Sequence, residues 1–148
     1  VPSDEAIARF GAVLGELHRL LRRKVVGRAN RDALPEAQVE VLHLVRAEPG
    51  ISGKEVARRL GTAPNTVSTL VRDLTDAGLL ARDRDPEDRR VVRLALTEAA
   101  RVRMDDYAAH RRALLTEALA TLDPPARDAI LAAAPHLDAL LGALRARP

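Results

Sequence analysis

The sequence predicts a mainly α-helical chain carrying one small β-hairpin, and three observations lead there. Apolar residues recur at three- and four-residue intervals through six segments. The period drops to two over a short stretch around residues 79–96, with charged residues between the apolar ones. The 148 residues are 47% hydrophobic yet include one Phe, one Tyr and no Trp, so Leu, Val, Ile and Ala must build the core.

Taken in order, Ser3 to Val26 places Ile7, Phe10, Leu14, Leu17 and Leu21 at alternating three- and four-residue spacing, the seam of a long packed helix. Ser3 suits an N-cap, and Asp4 and Glu5 complement the dipole of the first turn. Gly27 to Asp32 reads as a polar break. Pro35 opens a second helix with Val41, Leu42 and Val45 inward, closed by Pro49-Gly50. Ser52-Gly53-Lys54-Glu55 has the form of a capping box. It starts a short helix with Val56, Ala57 and Leu60 inward, ended by Gly61. Pro64 sits well at the first position of a fourth helix, whose inner face is Val67, Leu70, Val71 and Leu74 and whose end is Gly78.

Leu79–Arg82 and Val91–Leu96 then read as two strands around a charged loop, with Val92, Leu94 and Leu96 on one face. Thr97 caps a long fifth helix carrying Val102, Tyr107, Leu114, Leu115, Ala118 and Leu122, and Asp123-Pro124-Pro125 breaks it. A sixth carries Ile130, Leu137, Leu140, Leu141 and Leu144, with Pro135 expected to kink or divide it.

Composition removes whole classes of chemistry. With no Cys, there is no disulfide, thiolate nucleophile, Cys-ligated zinc or thiol redox sensor. No apolar run approaches a membrane span and no secretory signal opens the chain, so a cytoplasmic protein is expected. The missing initiator Met suggests that the native start is absent. The net charge of +3 is compatible with nucleic acid without requiring it. A small helical enzyme would need convergent acid, base or nucleophile groups, and the histidines are scattered over separate helices with no phosphate-cradling loop. Asp106 and His110, four apart on one helix, are two ligands and too few for a metal site. No cofactor is expected.

The stretch from Ile51 to Thr97 is a capped helix, a tight turn, a second helix and a hairpin: a helix-turn-helix followed by a wing. Such a unit sets its second helix in the major groove of duplex DNA. With Val67, Leu70, Val71 and Leu74 inward, that helix presents Asn65, Ser68, Thr69 and Arg72 outward, with Pro64 and Thr66 at its exposed start. Asn can pair with adenine, and Arg with guanine or a phosphate. Taken alone, such a face can equally be a solvated one. In the wing, Arg84, Arg89 and Arg90 suit a narrow minor groove. Asp83, Asp85, Glu87 and Asp88 oppose that; Asp88 is placed to orient a neighbouring guanidinium. From Ser52 to Arg93 nine basic residues face seven acidic ones, so charge gives at best a focused footprint.

The run Ile51-Ser52-Gly53-Lys54-Glu55-Val56-Ala57-Arg58-Arg59-Leu60-Gly61 and the following Thr66-Val67-Ser68-Thr69-Leu70-Val71-Arg72-Asp73-Leu74 resemble the helix-turn-helix of the MarR family. Ala77-Gly78-Leu79-Leu80 matches its exit. Asp85-Pro86-Glu87-Asp88-Arg89-Arg90, then Leu94-Ala95-Leu96-Thr97-Glu98, resembles its wing, the most specific part. Ala63 and Pro64 depart from a frequent Ser and basic residue, Val39 from a frequent aromatic, and Ala100 from a common Gly. The resemblance covers essentially the whole chain.

It implies a single unit over 1–148, with a winged helix-turn-helix lobe at about 34–97 flanked by long N- and C-terminal dimerisation helices at about 3–26 and 98–146. It also implies a homodimeric transcriptional regulator, expected to be a repressor, on a pseudo-palindromic operator. The implied DNA-facing residues are Lys54, Pro64, Asn65, Thr66, Ser68, Thr69, Arg72, Arg84, Asp88, Arg89 and Arg90. Arg90 is the minor-groove residue and Asp88 its local partner. The apolar surplus of Leu137, Leu140, Leu141 and Leu144 agrees with a dimer interface.

Members of the family often bind small, frequently aromatic acids between the dimer helices and the DNA lobe. His18, His43, Tyr107, Arg111 and Arg112 are the candidates here for an effector cleft, although a solvated or packing role is the commoner one for a histidine. The competing reading is a winged-helix protein-interaction module that does not bind DNA. It requires an acidic or apolar recognition face and a wing without exposed Arg; Asp73 and Asp76 speak for it, Arg72, Arg89 and Arg90 against.

Overall fold

Side-chain caps start four of the helices in the computed structural model, which describes residues 1–147. Ser3 Oγ accepts from the Ala6 N–H at 3.2 Å and opens α1, Asp4–Ala29. The polar break expected at Gly27 falls later: α1 runs through Gly27 and ends on Asn30, which adopts a left-handed φ of 49°. A glycine inside a helix costs only about 1 kcal/mol. The last turn of α1 is tied down by Arg28, which donates to both carboxylate oxygens of Glu117 at 3.0 and 2.6 Å.

Helix α2, Glu36–Ala47, follows Pro35. Ser52 Oγ accepts from the Glu55 N–H at 3.2 Å and starts α3, Gly53–Leu60. The reciprocal half of the expected capping box does not form. Glu55 instead accepts from Arg58 at 2.9 and 2.5 Å and from Arg59 at 3.0 Å, which draws its carboxyl down to about 2. Two guanidinium groups on the same helix outcompete one backbone N–H. Gly61, at φ 60°, turns the chain into α4, Pro64–Asp76.

Strands β1, Leu80–Arg84, and β2, Val92–Leu96, pair antiparallel, with Leu80 opposite Leu96 and Arg84 opposite Val92. Pairing thus extends two residues beyond the expected end of the first strand, and Asp83 opposite Arg93 favours the extension. Gly50 donates to the Leu94 carbonyl at 2.8 Å and Leu94 to the Ile51 carbonyl at 3.0 Å. The segment before α3 therefore lies along β2 like a third strand.

Thr97 Oγ1 accepts from the Ala100 N–H at 3.2 Å and opens α5, Glu98–Ala120. Asp123 caps α6, Pro124–Ala132. Pro135 divides the last segment as expected, falling in the first turn of a separate α7, Ala134–Arg145. No helix of the described residues is long and apolar enough to cross a membrane.

One core cluster joins α2, α3, α4, both strands and the start of α5, with Leu42, Leu74 and Leu94 its largest fully enclosed side chains. It covers the inward residues expected for these elements, with Leu60 and Leu70 at its edge. The expected seam of α1 is a different matter. Although α1 packs along α5, Ile7, Phe10, Leu14 and Leu17 stay 37–55% exposed, as do Leu137, Leu140, Leu141 and Leu144 at 37–57%. Among the described residues, these two apolar faces stay largely uncovered.

Candidate nucleic-acid interface

The inner face of α4 decides what its outer face offers. Val67, Val71 and Leu74 are buried, which leaves Pro64, Asn65, Thr66, Ser68, Thr69 and Arg72 exposed on the other side. Ser68 Oγ donates to the Pro64 carbonyl at 3.0 Å and Thr69 Oγ1 to the Asn65 carbonyl at 3.2 Å. Both hydroxyl protons are therefore committed within the helix, and the oxygens face outward as acceptors. The Asn65 amide, the Thr66 hydroxyl and the Arg72 guanidinium are the side-chain donors left on this face. Arg72 has only a distant contact with Asp73, at 3.7 Å. Lys54, in the first turn of α3, is exposed.

The hairpin tip resolves the puzzle of its acids. Asp85 Oδ1 accepts from the backbone N–H groups of Glu87 and Asp88 at 2.8 and 3.0 Å, an Asx-type turn. Its Oδ2 accepts from Arg93 at 2.6 and 2.7 Å. Arg93 also donates to the Gly50 carbonyl at 3.2 Å, fastening the tip to the segment before α3. These backbone bonds, with Arg93, hold the Asp85 carboxyl below its ordinary range. Asp88 does not pair with a guanidinium, as its position had suggested. Its Oδ1 accepts from the Arg90 N–H at 3.0 Å, because the tight turn brings that N–H closer than any side chain.

Asp85 and Asp88 are thus occupied in shaping the turn. Among the described residues, no carboxylate lies within 4 Å of the guanidinium groups of Arg84, Arg89 or Arg90, and all three are exposed. The roles of Asp85 and Arg93 were missed from sequence, although Asp-Pro-Glu-Asp is itself an Asx-turn signature.

Ser68, Thr69 and Arg72 line one side of a groove of about 310 Å³ shared with Gly53, Arg82, Val92 and Leu94. Helices α3 and α4 and the hairpin stem therefore meet in one continuous surface. A second cavity of about 310 Å³ lies between α1, α2 and α5. His18, His43, Tyr107 and Arg111, four of the five residues put forward for an effector cleft, line it, whereas Arg112 does not. His18 Nε2 is 2.7 Å from Glu36 Oε1, and the Arg111 guanidinium sits 6.0 Å from the centre of the Tyr107 ring. Partial burial, then the nearby Arg111 and Arg46, lower the His43 pKa. Arg22 and Arg103 contribute to the lining but donate to the backbone carbonyls of Leu34 and Asp32 at 2.5 and 2.6 Å. Sequence reading passed over both.

A sequence model described as the MarR family matches residues 34–91. The chain is 24% identical over 120 residues to the HTH-type transcriptional repressor MdtR of Bacillus subtilis, covering 81% of this chain and 77% of that one. It is 35% identical over 99 residues to the protein Rv2011c of Mycobacterium tuberculosis, covering 67% and 68% respectively. Its fold matches that of a MepR mutant from S. aureus bound to an oligodeoxyribonucleotide, with a TM-score of 0.68 at 19% identity over 93% of this chain and 96% of that one.

Proposed function

This chain belongs to the MarR family, and from that premise we propose that it acts as a homodimeric transcriptional repressor on a pseudo-palindromic duplex operator. The observation that carries this reading is the state of the arginines. Arg84, Arg89 and Arg90 stand exposed at the hairpin without carboxylate partners, on the lobe whose α4 presents Asn65, Ser68, Thr69 and Arg72. In this reading α4 reads base edges in the major groove, with Pro64 and Thr66 at its leading end and Lys54 on a phosphate. Arg90 enters the minor groove, and Asp88 fixes the turn that carries it.

The apolar faces of α1 and α7 support the dimer, since a chain that stays monomeric rarely leaves so many large aliphatic groups in water. A two-fold axis then sets the two α4 helices about one DNA turn apart. The lobe at 34–97 is the reader, and the helices at 3–26 and 98–146 are the dimer frame. The cavity holding His18, His43, Tyr107 and Arg111 is the effector site, for a small molecule that changes the spacing of the lobes. Its relatives are regulators, and nothing in this reading calls for catalysis. The protein-interaction alternative fits less well, because the outward face of α4 is polar rather than apolar and the hairpin exposes Arg84, Arg89 and Arg90, although Asp73 and Asp76 are exposed as well.

The test is a titration of the protein against a labelled duplex from upstream of its own gene, at two salt concentrations, beside Arg90→Ala. Tight, salt-sensitive binding that the substitution weakens is the expected result. No binding to any duplex at low salt would overturn the reading.

A further inference from the structure

We infer that Arg82, on the hairpin stem, is a DNA contact in its own right, and that with Arg72 it seats one backbone phosphate in the groove between α4 and the hairpin. The inference rests on the DNA-binding reading above and adds Arg82 as a further contact, joined to the α4 face through Arg72 and separate from the hairpin tip.

Alternate residues of a strand share a face, so Leu80, Arg82 and Arg84 lie on one side of β1. Their cross-strand partners Leu96, Leu94 and Val92 lie on the same side of β2. Leu80, Leu94 and Leu96 are buried, so this is the face turned toward the core. At the next position along β1, where the core would be continued by another apolar residue, stands an exposed Arg. Arg82 lines the groove together with Arg72, across a floor made by Val67, Val71, Val92 and Leu94.

Arg82 has no counter-ion among the described residues and Arg72 only a long-range one. No carboxylate lies within 4 Å of Arg82 among the described residues. Its neighbour Asp83 points to the opposite face of the strand, and Asp85 is held by Arg93. Arg72 has only Asp73 at 3.7 Å. The hydroxyl protons of Ser68 and Thr69 are already donated to helix carbonyls. The two guanidinium groups are therefore the side-chain donors that the groove offers, which calls for a partner that only accepts. A phosphodiester is such a partner, and the apolar floor makes the attraction stronger than it would be in open water. The competing account is that Arg82 merely lays its aliphatic stem over Leu94.

Salt dependence separates the two accounts. Wild type, Arg82→Ala, Arg82→Gln, Arg82→Lys and Arg90→Ala would be titrated by fluorescence anisotropy over a range of salt concentrations. The probes are a duplex selected from a random-sequence pool and an unselected duplex of equal length, with thermal unfolding recorded for each variant. For a phosphate contact, Arg82→Ala and Arg82→Gln weaken both duplexes by the same factor and make the slope of log K against log salt shallower by about one, while Arg82→Lys retains most of the slope.

An unchanged slope in Arg82→Gln, or a loss shared by Arg82→Lys together with a lowered Tm, would overturn the assignment and leave a packing residue. If wild type itself binds neither duplex, the DNA-binding reading falls and this contact with it. That outcome is distinct, because it is seen before any variant is compared.

Discussion

Asp85 engages three donors with a single carboxylate: the N–H groups of Glu87 and Asp88 through one oxygen and Arg93 through the other. It therefore shapes the loop that carries Arg89 and Arg90 without facing DNA itself. Replacing it with Ala should weaken duplex binding by up to about fivefold, because the loop that carries Arg89 and Arg90 loses the bonds that shape it. The salt slope should stay the same, because no phosphate contact is lost; anisotropy titration at several salt concentrations checks both. The pH dependence has a definite sign. A carboxyl held below the usual 3.9 contributes stability that is fully present above that value and is lost as pH falls through the lower folded value. The Glu87 and Asp88 amide resonances should accordingly hold their positions from pH 8 to 5 and shift only in stronger acid. The sequence displayed the acids and arginines of this loop but not their division of labour. The Asp85–Arg93 pair depends on hairpin register, and counting nine bases against seven acids hides which of them are already engaged.

At the level of elements, caps and breakers carried most of the legible information. Ser3, Ser52 and Thr97 accept from the backbone N–H three residues on, where short-range patterning suggested, and Pro135 divides its segment; Asp123, read from sequence only as part of a break, also caps α6. Gly27 misled because a single glycine is a weak breaker and Arg28 is anchored on another helix, a long-range contact that no local pattern reveals. Thr97 does more than its capping role predicts. Its Oγ1 accepts from Ala100 and also donates to the Gly78 carbonyl at 2.6 Å, joining the start of α5 to the residue that ends the α4 turn. Thr97→Ala should cost about 1–2 kcal/mol and Thr97→Ser much less, as read by urea unfolding.

On the scale of the whole molecule, the core and the apolar surplus lie in different places. The enclosed cluster belongs to residues 41–100, while α1 and α7 expose Phe10, Leu17, Leu140 and Leu141. Leu141→Asp should shift the proposed dimer to monomer in sedimentation while sparing the lobe's own packing, and should weaken operator binding more than any single hairpin substitution. Four of the five candidates for the cleft line the cavity, but spacing alone does not require their meeting, because His18, His43 and Arg111 belong to three helices whose juxtaposition is a product of the fold. One joint links these parts. Helix α5 spans 23 residues, about 35 Å at 1.5 Å per residue, and Thr97 fastens its first turn to the lobe. Such a rod acts as gearing: with its far end fixed, a tilt of about 5° at Thr97 amounts to about 3 Å of travel over that length. Contacts far too small to reshape a domain are enough, multiplied by that arm, to change which of two sites in a DNA groove a reading helix can reach.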